Sequence, residues 1–260
     1  GLARIGLTVL RGVQPMLAAS SPTVAEALAA VGRASVEWKL DGARIQAHRS
    51  GDQVRLFTRS LNDVTARLPG VAAVVGGLPV ERAVLDGEVL GVSDAGPDRF
   101  QDSMSRFSRA AGDHGSGSLR LFLFDVLHAD GDDLLDRPLE ERSAVLDRIA
   151  GPWRVPALVT GDAGEAQAFL DAALAAGHEG VMVKDATSVY DAGRRGQAWR
   201  KVKPVRTLDL VVLAAEWGSG RRRGWLSNIH LGARDPSSPG SFVMVGKTFK
   251  GMTDEMLRWQ

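Results

Sequence analysis

Lysine is scarce in this chain, and its positions are informative. Six of the 32 basic residues are Lys (Lys39, Lys184, Lys201, Lys203, Lys247 and Lys250), and the other 26 are Arg. Arginine serves wherever a fixed cation is enough, whereas a lysine amine can lose its proton and act as a nucleophile. Lys39 lies in the octet Glu37-Trp38-Lys39-Leu40-Asp41-Gly42-Ala43-Arg44, where a strand pattern gives way to a turn. Glycine at 42 lets the chain bend tightly, which would present Lys39, Asp41 and Arg44 to one cleft. An amine nucleophile needs its pKa brought down from the usual value of about 10.4, by desolvation or nearby cations. A surface lysine beside an Asp-Gly turn would leave the same short pattern.

Five further segments follow at ordered spacing. They are Thr58-Arg59-Ser60, Leu85-Asp86-Gly87-Glu88, Leu123-Phe124-Asp125-Val126, Glu179-Gly180-Val181-Met182-Val183-Lys184 and Trp199-Arg200-Lys201-Val202-Lys203. The octet resembles K-x-D-G-x-R, the first motif of the covalent nucleotidyltransferases, which include ATP-dependent DNA ligases, RNA ligases and mRNA capping enzymes. The later segments resemble that superfamily's later motifs in the same order, most closely E-G-x-M-V-K and W-x-K-x-K. The resemblance spans residues 36–203 and continues less distinctively to 260. Four of the six Lys fall inside these motifs. Together with an Arg-rich loop further on, they make the chain most similar to ATP-dependent DNA ligases.

The resemblance implies a role for each position. Lys39 would attack the α-phosphate of ATP and expel pyrophosphate, leaving AMP on a nitrogen–phosphorus bond. The AMP would pass to the 5′-phosphate of nicked double-stranded DNA, and the 3′-hydroxyl would then seal the nick. Catalysis is expected of Lys39, Asp41, Arg44, Lys201 and Lys203, the last two neutralising phosphate charge. The nucleotide is expected on Glu37, Trp38, Lys39, Arg44, Arg59, Glu88, Phe124, Lys184, Lys201 and Lys203, with Phe124 stacked on adenine. Asp41, Glu88 and Glu179 would hold Mg²⁺ or Mn²⁺, hard cations that prefer oxygen; Glu88 alternatively bonds the ribose. Arg59, Arg221, Arg222 and Arg223 are expected on DNA, and Lys247 and Lys250 are further candidates for its phosphates. Without the family, Phe124 reads as core sooner than as base-stacking, Trp199 reads as packing, and Glu88 and Glu179 read as solvated carboxylates. Rival readings are an RNA ligase, a GTP-dependent capping-type enzyme and a non-catalytic nucleic-acid-binding relic.

These residues need a frame to hold them. Thr23 with Glu26 forms a capping-box pattern opening a helix through Val31, and Gly32 ends it. Ile45/Ala47 and Val54/Leu56 alternate with polar neighbours around the Ser50-Gly51-Asp52 turn, as in an antiparallel hairpin. Strands are expected at 83–92, 119–128 and 179–184, and helices at 138–150 and 163–176. Residues 94–118 read as a long surface connection. After Pro204 the segments 208–216, 226–232 and 241–248 read as strands, and Thr253 opens a last helix. The fold class implied by the resemblance is α+β: an adenylation domain of two twisted antiparallel sheets with flanking helices (21–205). A partial OB-fold barrel follows (206–260), and a tail precedes (1–20). Family members carry a further basic motif late in the barrel domain that is absent here, so the chain is expected to be a fragment. The Gly246-Lys247-Thr248 triplet is no phosphate-binding loop, because Ser241 stands where that motif needs Gly.

Composition sets the outer bounds. The 260 residues are 44% apolar, enough for one large core and part of a second. There is no Cys, which excludes disulfides and thiolate chemistry. No apolar run reaches the roughly 18 residues of a membrane span. A cytoplasmic or nucleoid-associated monomer is the expectation. The net charge of +1 hides an asymmetry: residues 201–260 hold ten Lys/Arg against five Asp/Glu, a hint of polyanion contact there.

Overall fold

Period-two patterning and polar turns build most of the frame. The computed structural model describes residues 7–93, 96–97, 118–205, 207–248 and 252–259. The chain divides into two units between Pro204 and Val205. In the first unit the elements run β1 (Leu17–Ser20), α1 (Val24–Val31), β2 (Ala34–Lys39), β3 (Ala43–Ser50), β4 (Gln53–Thr58) and α2 (Pro69–Gly76). They continue with β5 (Arg82–Ser93), β6 (Gly96–Pro97), β7 (Ser118–Ala129), β8 (Asp132–Asp133), α3 (Leu139–Ala150), β9 (Ala157–Thr160), α4 (Ala163–Ala175), β10 (Gly180–Asp185) and β11 (Arg195–Val202).

Two sheets result. The first has the order β1-β11-β10-β2-β9, and the second β4-β3-β5-β7-β8 with β6 beside β5. Apart from the parallel pair β1–β11, every ladder in the first sheet is antiparallel. Helices α1 and α4 cover one face of that sheet. Val24, Ala27 and Leu28 of α1 and Ala166, Leu170 and Ala173 of α4 bury against Val36, Val181, Val183 and Val202. Both helices start as their sequences predict: the Thr23 and Asp162 side chains accept from the Glu26 and Glu165 N–H groups. The second sheet packs Ile45, Ala47, Leu56, Leu121 and Leu123 against Val71 and Val75 of α2 and Leu146 and Ile149 of α3. The mixed α+β class expected from sequence is the class observed.

Several elements differ from expectation. Leu17–Ser20, assigned to a tail, is an edge strand of the first sheet, and Met16 beside it is buried. Four residues are too few for alternation to register. Strands β9 and β11 and helix α2 also lacked a distinctive period. Gln46 and His48, on the polar face of β3, are buried as well, because residues 10–13 cover them. The Leu10 N–H donates to His48 Nδ1 (3.0 Å) and the Val13 N–H to Gln46 Oε1 (2.8 Å). Residues 94–95 and 98–117, most of the expected surface connection, lie outside the described residues.

The second unit holds β12 (Val211–Trp217), β13 (Leu226–Arg234) and β14 (Phe242–Thr248), an antiparallel sheet in that order, and helix α5 (Asp254–Trp259). Thr253 opens α5, its Oγ1 accepting from the Met256 N–H at 3.2 Å. Among the described residues no helix is long and apolar enough to cross a membrane.

Candidate active site

Strand alternation decides which motif residues meet. Met182 of β10 stands opposite Glu37 of β2 on one side and Lys201 of β11 on the other. Two residues along, Lys184 stands between Ser35 and Trp199, and Gly180 pairs with Lys39. Because side chains alternate, residues 37, 39, 182, 184, 199 and 201 share one face. Val36, Val181, Val183 and Val202 point the other way into the helix-covered core. That polar face, with Arg44 and Glu88 of the second sheet, Phe124 of β7 and the Thr58-Arg59-Ser60 loop, encloses a cavity of about 630 Å³. Met182, Leu17 and Ala18 also line it. Residue type gave no reason to single them out.

The motif glycines serve close approach. A Cβ on Gly42 would lie 2.4 Å from the Val89 carbonyl oxygen, and one on Gly180 2.2 Å from that of Val202. Gly42 is not among the glycines with positive φ. The chain nonetheless bends at Gly42 as expected, and the missing Cβ also lets the start of β3 approach β5 side by side.

Lys39 Nζ is ion-paired with the Glu179 carboxylate, and Lys203 Nζ is 4.0 Å from the other Glu179 oxygen. Burial raises the Asp41 carboxyl above its usual value, Glu179 adds to this by repulsion, and Lys39 and Lys203 oppose it. Burial likewise pushes Glu88 up to about 7, against the pull of Arg44, Lys39 and the Gly42 N–H. That N–H donates to Glu88 Oε1 at 3.2 Å. Among the described residues no group of three acidic or His side chains stands close enough to hold a metal. Of the expected trio, Asp41 and Glu179 interact with each other, and Glu88 lies across from Arg44 in the second sheet.

Lys184 is buried beneath the cavity. Its Nζ is 2.5 Å from Glu37 Oε2 and donates to the Phe124 carbonyl at 3.2 Å. The same Nζ lies 4.6 Å from the Phe124 ring centre and 4.3 Å from that of Trp199. Burial pulls its pKa down, and the charges of Glu37 and Asp125 oppose that. Trp38 also lines the cavity, and its indole packs on Phe169 and His178 (centroids 6.2 and 4.9 Å) on the helix side. One step of strand alternation from Glu37 and Lys39 puts it there.

Arg44 is held at the cavity wall. Asp86 takes its Nε at 3.0 Å and its Nη2 at 2.6 Å, and the Met16 carbonyl accepts from Nη1 at 2.8 Å. Its guanidinium lies 5.4 Å from the Phe124 ring centre. Asp86 and Tyr190, which complete this cluster, were missed as site residues. Asp86 stood inside a motif, and Tyr190 carried no signal beyond being the sole tyrosine. Burial and the Asp86 charge raise the Tyr190 phenol well above its usual value. Arg59 is exposed at the cavity rim.

The basic loop belongs to the second unit. Arg221 and Arg223 are exposed, whereas Arg222 Nη2 donates to the Met252 carbonyl at 3.0 Å. Lys247 Nζ is 2.5 Å from Glu216, which also accepts from His230 at 2.9 Å. Lys250 lies outside the described residues.

Comparison with known proteins gives a consistent answer. Residues 15–203 match the family described as "ATP dependent DNA ligase domain". A "Probable DNA ligase" of Mycolicibacterium vanbaalenii is 60% identical over 264 aligned residues, covering all of this chain and 49% of that protein. A second, from Pseudarthrobacter chlorophenolicus, is 57% identical and is covered over 52% of its length. The chain spans about half the length of these curated relatives. Among solved structures, the ligase domain from M. tuberculosis LigD superposes with a TM-score of 0.62 at 25% identity, over 95% of this chain and 75% of that one. A mycobacterial DNA ligase D complexed with ATP and MES gives 0.61 at 25% identity, with the same coverage. With the family match covering most of its length, the chain belongs to the ATP-dependent DNA ligase domain family.

Proposed function

We propose that this chain is the adenylating core of an ATP-dependent DNA ligase. The observation that carries this is the position of Lys39. It lines a nucleotide-sized cavity beside Lys201, with Glu179 holding its amine. The deprotonated amine attacks the α-phosphorus of ATP. An N–P bond forms, the P–O bond to pyrophosphate breaks, and Lys39 carries AMP. Lys201 and Lys203 stabilise the charge on the transferring phosphoryl group. Phe124 and Met182 offer apolar surfaces to the base, and Glu37, held by Lys184, offers a carboxylate acceptor. Glu88, largely desolvated, suits a ribose hydroxyl. Arg44 contacts ribose or phosphate. AMP then passes to the 5′-phosphate of nicked duplex DNA, reached by Arg59 and by the exposed Arg221 and Arg223.

Asp41 and Glu179 suit Mg²⁺, which binds through one or two carboxylates together with substrate phosphates. Their mutual repulsion is what such a cation would relieve. When bound it would neutralise triphosphate charge.

Mass spectrometry after incubation with ATP and Mg²⁺ tests the proposal. AMP on Lys39 is the expected adduct, and none is expected on Lys39→Ala. Covalent GMP from GTP in place of AMP from ATP would favour the capping reading. Absence of any adduct would leave a binding relic. Sealing of RNA in preference to DNA nicks by the longer protein would favour an RNA ligase.

A further inference from the structure

The buried hydroxyl of Tyr190 has a place in the cluster around Arg44 that none of the motif assignments explains. Tyr190 lies in the connection from β10 to β11. Its backbone N–H donates to the Leu135 carbonyl at 2.8 Å, and Arg142 pins the same connection by donating to the Ser188 carbonyl at 3.0 Å. Its ring packs edge-on against Trp199, at 5.7 Å between centres and 83° between planes. Packing of this kind needs only the ring.

The hydroxyl makes three polar contacts besides. It donates to Asp86 Oδ2 at 2.7 Å, accepts from the Met16 N–H at 3.0 Å, and accepts more loosely from Arg44 Nη2 at 3.3 Å. Asp86 and Met16 are the two residues that hold the Arg44 guanidinium. Asp86 takes Nε and Nη2, and the Met16 carbonyl takes Nη1. A guanidinium has five N–H donors. These contacts occupy four, so one N–H on Nη1 remains at a side chain that lines the cavity. A carboxylate gripped only by an arginine can turn with it. Asp86 is instead also held by the phenol, which shares Oδ2 with Arg44 Nη2, and the same phenol fixes the backbone at Met16.

We propose that Tyr190 is a positioning residue for nucleotidyl transfer: its hydroxyl sets the Asp86 carboxylate and the Met16 backbone that aim Arg44 into the cavity. The proposal rests on the ligase reading above. It assigns Tyr190 no contact with the nucleotide, so its effect must pass through Arg44.

A double-mutant cycle on lysyl-AMP formation is the test. Rates are measured at saturating ATP, well below the melting temperature of every variant. The set is wild type, Tyr190→Phe, Arg44→Lys, the double variant, and Leu146→Ala as a destabilised control in the remote core beneath α3. Tyr190→Phe should slow adenylation about tenfold. Leu146→Ala should keep the wild-type rate, and the double variant should be no slower than Arg44→Lys alone. A wild-type rate in Tyr190→Phe, or single effects that multiply in the double variant, would overturn the proposal. Should Tyr190→Phe fail to fold, the cycle is repeated with biosynthetic 3-fluorotyrosine, which alters this one position because there is no other tyrosine. A rate change that vanishes in Arg44→Lys supports the proposal, and a rate unchanged in both backgrounds overturns it. A wild-type chain that takes up no AMP removes the ligase reading itself, and this inference with it.

Discussion

Lys184 and Lys39 stand on adjacent strands and face the same cavity, yet their surroundings give them different work. Lys184 is fully enclosed, with its charge committed to Glu37. Removing one member of a buried ion pair costs about 3–5 kcal/mol, because the other is left uncompensated. Lys184→Met leaves Glu37 with the longer contact to Arg154 Nη2 at 3.7 Å, so it should lose stability toward the lower end of that range, about 3 kcal/mol, in urea unfolding. Glu37→Gln combined with Lys184→Met should recover most of it; simple addition of two losses would show the charges are not coupled. Lys39 is partly exposed and paired with Glu179, so its charge contributes little to stability. Lys39→Arg should unfold close to wild type and take up no AMP, since a guanidinium keeps the cation and loses the nucleophile. An adduct on that variant, seen by mass spectrometry, would move the reactive amine elsewhere. Sequence pointed to both lysines by their scarcity. Scarcity could not show which of them is buried, because burial depends on what packs from other strands.

Among the elements, β10 lies between β2 and β11 in the first sheet and brings Met182 and Lys184 to the cavity. A methyl on Gly180 would meet the Val202 carbonyl oxygen at 2.2 Å, whereas at Gly196, further along β11, the nearest atom is 4.0 Å away. Gly180→Ala should cost at least about 2 kcal/mol by forcing the strands apart, and Gly196→Ala far less. Equal melting temperatures would refute that reading. The segment before β1 is tied to β3 through His48, whose imidazole burial holds at about 4 against about 6.5 when free. Between those values the unfolded chain binds the extra proton. The stability from a neutral His48 is therefore complete above pH 6.5 and drains away as pH falls toward 4, a loss on the order of 3 kcal/mol. His48→Gln should remove this part of the pH slope, read as the difference between wild-type and variant unfolding across that window. Capping boxes and hairpin turns were legible in sequence because they act over three or four residues. Strand β1 was not, because its four residues become a strand only by pairing with β11, some 180 positions later.

For the whole molecule, the proposed function gives the exposed arginines of the second unit a different step from the cavity of the first. Arg221→Glu with Arg223→Glu should weaken binding to nicked duplex, with a shallower salt dependence, and leave lysyl-AMP formation near the wild-type rate. Equal loss of both activities, or of neither, would count against placing DNA there. Arg222 is set apart because its guanidinium is engaged with Met252, a distinction invisible in a run of three identical residues. The sequence by itself determined the residue types the proposed chemistry needs. A lysine able to act as a nucleophile, further lysines and carboxylates stood in motif order, because reactivity belongs to residue type and period two fixes which residues can share a face. The tertiary structure alone decided which carboxylates interact, which lysine is buried, that the Trp38 indole packs on Phe169 and His178, and that the Tyr190 hydroxyl joins Arg44 and Asp86. Those outcomes depend on distance and desolvation between segments as much as 174 residues apart, and no local pattern encodes them.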